Sequence, residues 1–178
     1  YKNELMIGKS SKCKDNYDCL VFCFRGAETI KIPSFIEHIC PYSFQYCEYL
    51  LKINFSRDSK LKTIGKYAFS NSSIVSITIP PFVTLIDECA FYDSELKKIE
   101  FSDDSNLQII GKSAFCDSSI KSITIPSNIT QIYECAFESC RKLRQINFHP
   151  DIKLETINTK LFLFSSIESI CIPSSVIH

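Results

Sequence analysis

The sequence predicts a mainly β fold: a right-handed solenoid with a parallel concave sheet and short turns or 3-10 segments on the convex side. Three observations predict it. The motif Ile-x-Ile-Pro occurs at 30–33, 77–80, 123–126 and 170–173, so its prolines lie 47, 46 and 47 residues apart. A second beat, Ile-x-Phe, falls between them at 53–55, 99–101 and 146–148. After most of these beats, at a near-constant distance, comes a small residue followed by phenylalanine. Repeats of this period read as stacked units that bury a continuous core only together.

The repeat divides into two rungs. Rung A carries the proline: Ile77-Thr78-Ile79, Pro80, Val83-x-x-Ile86, Ala90-Phe91, Ser94, Leu96. Rung B lacks it: Ile99-Glu100-Phe101, Leu107-x-x-Ile110-Gly111, Ala114-Phe115, Ser118, Ile120. Alternating β-branched residues fit a strand with one buried face. Strands are therefore expected at 30–32, 53–55, 77–79, 99–101, 123–125, 146–148 and 170–172. Proline cannot extend the ladder, so it ends the strand. The Ile-x-x-Ile spacing breaks alternation and predicts a bend or a very short second strand. Gly65 and Gly111 follow it, where a left-handed backbone is expected. Ala-Phe-x-x-Ser/Cys is too short for a helix and predicts a 3-10 or single α turn.

Side-chain phase predicts the core. Phe44, Phe69, Phe91, Phe115, Phe137 and Phe162 recur in register and should stack as an internal ladder. Three residues after each stands Cys47, Ser72, Ser94, Ser118, Cys140 or Ser165, small groups able to satisfy nearby backbone atoms. At ~4.8 Å per rung, seven strands span roughly 30 Å. Residues 1–26 keep the pattern loosely. Ile7 lies 23 residues before Ile30, and Val21-Phe22 stands where Ala-Phe would fall, so this segment reads as a degenerate capping rung. Residues 27–178 form the regular array, which stops within a repeat, as in a piece of a longer protein.

Composition excludes several functions. Twenty basic and twenty acidic residues give a formal net charge of zero, without the basic footprint of a nucleic-acid binder. No apolar run reaches the ~18 residues of a membrane helix. His38, His149 and His178 are scattered, and no Ser/His/Asp set or phosphate loop recurs. Neither enzyme activity nor a cofactor is expected.

Ten cysteines invite a disulfide reading. Cys89 and Cys135 are two rungs apart, ~10 Å, and Cys47 and Cys140 are four apart, beyond the ~7 Å Cα limit of a bridge. In this register cysteine is exchanged with Ser, Tyr or Gly and acts as small core filler. Adjacent-rung diagonals stay open: Cys23 with Cys47, Cys116 with Cys140, Cys19 with Cys40. Most cysteines are expected free, with Cys89 and Cys135 buried and Cys171 exposed. The spacing Cys13-x5-Cys19-x3-Cys23 fits no zinc pattern well, so no metal is expected.

The pattern Leu-x-x-Ile-x-Ile-Pro-x-x-Val/Ile-x-x-Ile-x-x-x-Ala-Phe-x-x-Cys/Ser-x-x-Leu resembles the BspA-like subclass of leucine-rich repeats over roughly 19–178. The alternation of Pro-bearing and Phe-Ser-bearing rungs looks like the BspA-like surface antigens of trichomonad parasites, whose bacterial relatives are adhesins. The resemblance implies a cell-surface or extracellular role in adhesion or protein binding, toward host cells or matrix. A self-assembling scaffold stacking end to end, and a cytoplasmic regulatory repeat protein, remain as alternatives. Asn158-Thr159-Lys160-Leu161 departs from the family's Gly-x-x-Ala.

Alternation also assigns the solvent face of the strands. Its candidate ligand-binding residues are Lys52, Asn54, Ser76, Thr78, Lys98, Glu100, Ser122 and Thr124. No Trp, Tyr or Arg of the hot-spot type stands among them, so weak, multivalent contacts to a protein or glycan are expected. Asn54, Asn71 and Asn128 head Asn-x-Ser/Thr sequons that a secreted chain could glycosylate.

Overall fold

The computed structural model describes residues 5–9 and 18–177. Helices are absent among them. Long front strands β3 (Thr29–Ile32), β5 (Lys52–Phe55), β7 (Ser76–Ile79), β9 (Lys98–Phe101), β11 (Ser122–Ile125) and β13 (Gln145–Phe148), with β14 (Ser169–Ile170), fall where the repeat predicts them. The last is shorter than expected: it ends at Ile170, and Ile172 is exposed. Two-residue strands β4 (His38–Ile39), β6 (Thr63–Ile64), β8 (Leu85–Ile86), β10 (Ile109–Ile110) and β12 (Gln131–Ile132) occupy the Ile-x-x-Ile positions. They stack in parallel into a second sheet.

The N-terminal segment departs from the expected parallel rung. β1 (Leu5–Gly8) runs antiparallel to β2 (Cys19–Cys23), with Ile7 opposite Leu20. β2 pairs with β4, not with a front strand. The Ala-Phe place is also one residue off. Cys23 N–H donates to the Ser43 carbonyl, the bond that Phe44 makes to Ala68 one rung on. Cys23 is buried there, and Phe22 points to solvent.

The aromatic ladder forms as the phase predicts. Phe44, Phe69, Phe91, Phe115 and Phe137 are fully buried, with Phe162 half-buried at the end. Successive ring centroids lie 4.8, 5.0, 5.4, 5.3 and 5.8 Å apart in stacked geometry. The small group three residues on does what its chemistry allows. Ser72, Ser94 and Ser165 donate to the carbonyls of Phe69, Phe91 and Phe162 at 2.7, 2.8 and 2.6 Å. The Cys140 thiol reaches the Phe115 carbonyl at 3.0 Å.

Among the described residues the convex side holds neither 3-10 nor α turns. Ala68 N–H bonds Gly65 O, and Ser70 N–H bonds Tyr67 O, so consecutive β-turns overlap. Twelve described non-glycine residues have positive φ, two per turn and four apart, such as Tyr67 (φ 54°) and Asn71 (φ 54°). Nine of the twelve, from Tyr42 to Ser139, donate their N–H to a carbonyl of the next rung. The unusual backbone is thus held by an inter-rung ladder that needs these donors aligned along the axis.

The two glycines serve a different purpose from the one expected, since neither has positive φ. Each lets backbones approach. A Cβ on Gly111 would stand 2.6 Å from both Asp87 C and Glu88 N, and one on Gly65 would stand 2.7 Å from Ile39 O. Their amides bond Ile86 and Ile39 carbonyls one rung below. Where Asn158 replaces glycine, its side-chain amide reaches the Ile132 carbonyl at 2.6 Å. Gly111→Ala is expected to cost ~1–3 kcal/mol, because the obstacle is backbone. An unchanged urea midpoint would show that the rungs separate without cost.

The front sheet is not uniform. Four residues pair in register across β3/β5, β7/β9 and β11/β13, the A-to-B junctions. At the B-to-A junctions only one residue pairs across β5/β7 and two across β13/β14, while β9 and β11 fall into separate sheets. Proline contributes to the break. At an A-to-B junction, His149 N–H donates to Ile125 O at 3.0 Å. The equivalent place in each A rung is Pro80, Pro126 or Pro173, which has no N–H to offer the strand below.

Candidate functional site

The missing ladder bonds open the front face at regular intervals. A recess lies at each described B-to-A junction from β5 onward, each with a strand-ending proline in its wall. The first, about 480 Å³, spans β5 and β7 with Pro80 at its edge. The second, about 610 Å³, spans β9 and β11 with Pro126. The third, about 370 Å³, spans β13 and the segment from Ser169 to Pro173.

Every predicted site residue faces this surface. Lys52, Thr78, Lys98, Glu100, Ser122 and Thr124 are exposed, and Asn54 and Ser76 are half-buried. Lys52, Asn54 and Ser76 line the first recess only; Ser122 and Thr124 line the second; Thr78, Lys98 and Glu100 lie between and border both. The Lys98 ammonium sits 2.7 Å from Glu100, whose other oxygen accepts from Thr78 across the strands at 3.4 Å. The Lys98 hydrogen bond and charge hold the Glu100 carboxyl below its ordinary range.

Alternation alone misses part of each recess. Phe55, Arg57 and Pro81 join the first, and Asp103 and His149 the second. Arg57 and Asp103 lie in the Ser-rich loops after the B strands, beyond the reach of the strand pattern. The sequence signal that marks the recesses is the proline after each A strand. On the convex side a second aromatic pair, Tyr42 and Tyr67, stacks at 5.4 Å with Lys66 over the Tyr67 ring.

One disulfide is formed, Cys19–Cys40, with Cα atoms 6.1 Å apart. It is one of the three diagonals the rung geometry permits. Seven described cysteines take no part in a disulfide. Cys89 is buried and Cys171 exposed, as expected; Cys135 is half-exposed, not buried. Burial raises the Cys89 thiol, and raises Cys116 to about 12 and Cys140 to about 11. The thiolate is the reactive form, so a thiol reagent is expected to modify Cys171 well before Cys89. Rapid labelling of Cys89, read by peptide mass spectrometry, would show the register to be wrong.

Cys13 of the considered metal trio lies outside the described residues, and Cys19 is committed to the disulfide. Ligand atoms of Asp18, Glu37 and His38 lie within 4.8 Å of one another. Glu37 is ion-paired with Lys62, and His38 shares a 2.8 Å hydrogen bond with Thr63, so we assign no ion there. Of the sequons, Asn54 lies in the first recess and Asn71 on a convex turn. The Asn128 amide donates to Ser105 O and accepts from Lys153, both at 2.8 Å. His178 lies outside the described residues.

A solenoid with a front face of strands broken by recesses, a second sheet of short strands and a turn-built back is a repeat scaffold. The BspA type Leucine rich repeat region, in six copies, matches residues 16–106 and 62–178, and the chain belongs to that family. Such folds are typically non-enzymatic scaffolds for protein interaction. The chain is similar to a leucine-rich repeat protein from Bacteroides ovatus, at 22% identity and a TM-score of 0.66, over 99% of this chain and 59% of that one. The T. pallidum leucine rich repeat protein matches at 20% identity and a TM-score of 0.70, over 82% and 69%. The pneumococcal vaccine antigen PcpA matches at 19% identity and a TM-score of 0.56, over 87% and 39%. At these identities the likeness establishes the fold. The chain thus spans 59% of the length of the B. ovatus protein. Comparison with curated proteins finds no match. No described helix is long and apolar enough to cross a membrane.

Proposed function

We propose that this chain is a non-enzymatic adhesion module of a cell-surface protein, binding a protein or glycan of host cells or matrix through its strand face. The observation that carries the reading is the recurrence of the recess at successive B-to-A junctions. Each is open to solvent with a mixed polar and apolar lining, and none offers a deep anchor. Recesses repeated every two rungs, ~10 Å, suit a ligand that engages several at once, so affinity comes from multivalent display. Surface placement rests on the kinship with a family that holds surface antigens. Residues 1–26 serve as the cap of the array that 27–178 form: antiparallel β1 covers the edge of β2 and ends parallel stacking there. A glycan at Asn71 would leave the strand face clear, whereas one at Asn54 would fill the first recess.

The test is attachment of protein-coated beads to epithelial monolayers and matrix-coated wells. Changing Lys52, Lys98 and Glu100 together to Ala, or placing Trp at Thr78 and Thr124, is expected to reduce attachment severalfold through weakened multivalent contacts. Stability should move by no more than about 0.5 kcal/mol per site. Normal attachment by these variants, with loss on changing the loops 56–60 and 102–106, would move the site to the loop edge.

A further inference from the structure

The three recesses differ in charge. The lining of the first holds Lys52, Arg57 and Lys98 against a single carboxylate, Glu100. Lys98 is the only one of these cations with an acidic partner, at 2.7 Å. Lys52 and Arg57 make no ion pair among the described residues. Lys31, on the neighbouring β3 and exposed, makes none either. The second recess holds Lys98 against Glu100 and Asp103, and the third has no lysine, arginine or carboxylate in its lining. In a chain of zero formal net charge, this cationic surplus is segregated to one recess.

Resting on the reading of the strand face as the binding surface, we infer that the first recess binds the anionic groups of a linear acidic polysaccharide, sulfated or uronic, laid across the strands. Arg57 matches a sulfate or carboxylate through its planar fork, and Lys52 supplies a point charge beside it. The rest of the lining suits a sugar ring. Asn54, Ser76 and Thr78 present amide and hydroxyl groups, while Phe55 and Pro81 offer flat apolar surface alongside. The Ser102 hydroxyl, in the wall of both the first and second recesses, has no hydrogen-bond partner. An acidic peptide would bring carboxylates but few hydroxyls for this lining. A nucleic acid would need more phosphate contacts than three cations give, and exposed aromatic rings for its bases.

Calorimetric titration of the whole chain with a size-fractionated heparin oligosaccharide tests the proposal. Binding is expected, and it should weaken as salt rises. Lys52→Gln with Arg57→Gln should lower the affinity about tenfold or more. Lys52→Arg with Arg57→Lys should keep most of it, and Lys66→Gln, on the convex side, should leave it unchanged. Three results overturn the proposal: undiminished affinity in the double Gln variant, equal binding of uncharged dextran, or tighter binding of polyglutamate or duplex DNA than of the oligosaccharide. Bead attachment separates this proposal from the wider one. Loss of attachment in the Trp variant without heparin binding removes the acidic polysaccharide and keeps the adhesive face. Heparin binding that depends on Lys52 and Arg57, with attachment unaffected by the Trp variant, does the reverse.

Discussion

Phe115→Ala is expected to destabilise the protein by ~3–5 kcal/mol, the range for emptying a fully buried aromatic site. The ring stacks on Phe91 below and Phe137 above, at 5.4 and 5.3 Å, so its loss removes two ring contacts as well as buried area. Collapse into the gap is opposed on two sides. Gly111 and the convex turns are locked to neighbouring rungs by backbone bonds, and Ala114 is already fully buried. For a chain of this length the melting temperature should fall by roughly 6–20 °C. A loss under about 1 kcal/mol would mean that the rungs slide together and that the ladder contributes little. Phe162→Ala, at the half-buried end, should cost visibly less.

That ladder is legible in the sequence because its phase recurs on every rung, from Phe44 to Phe162. The front strands were readable for the same reason: Ile-x-Ile declares a period of two, and the buried-exposed alternation of β3, β7 and β11 follows it. The convex turns were not. Their left-handed positions carry Tyr, Asn, Cys, Asp, Ser, Lys and Phe, with no glycine to mark them. What fixes them is an N–H bond to the next rung, a non-local cause that local propensity does not express. The glycines misled in turn, since Gly65 and Gly111 answer to a crowding backbone one rung away. Most of the candidate site was legible, because parity decides which side chains meet solvent. Its division into recesses was not. It depends on what proline withholds from a neighbouring strand, whereas the sequence reading credits proline only with ending its own. Antiparallel β1 also escaped, since Ile7 fits the repeat by count alone.

Breaking the Cys19–Cys40 bridge should destabilise the N-terminal end by about 3 kcal/mol, the loop-entropy figure for a closure of this size. The bridge spans a sequence separation of 21 and ties β2 to the chain just past β4. β1 is held through β2, so both should loosen together. Guanidinium unfolding of Cys19→Ser/Cys40→Ser beside the wild type would measure the effect. Hydrogen exchange should show Leu20 and Ile39 losing protection before Ile86 and Ile110. A uniform loss along the chain would mean that the array unfolds as one unit. No loss would mean that the bridge only decorates a rung already held by packing.

The uneven front sheet makes this solenoid a jointed rod. On the convex side, hydrogen bonds and stacked rings cross every junction and act as a spine. On the strand side, the B-to-A seams at Pro80, Pro126 and Pro173 are nearly unlaced. Bending is therefore concentrated at fixed stations two rungs apart, and each station is also a recess. A ligand wedged into one would straighten or curl the rod there and set the spacing of the next. Curvature and occupancy are then one variable, and a mechanical load on the ends of the array would be felt directly by whatever it holds.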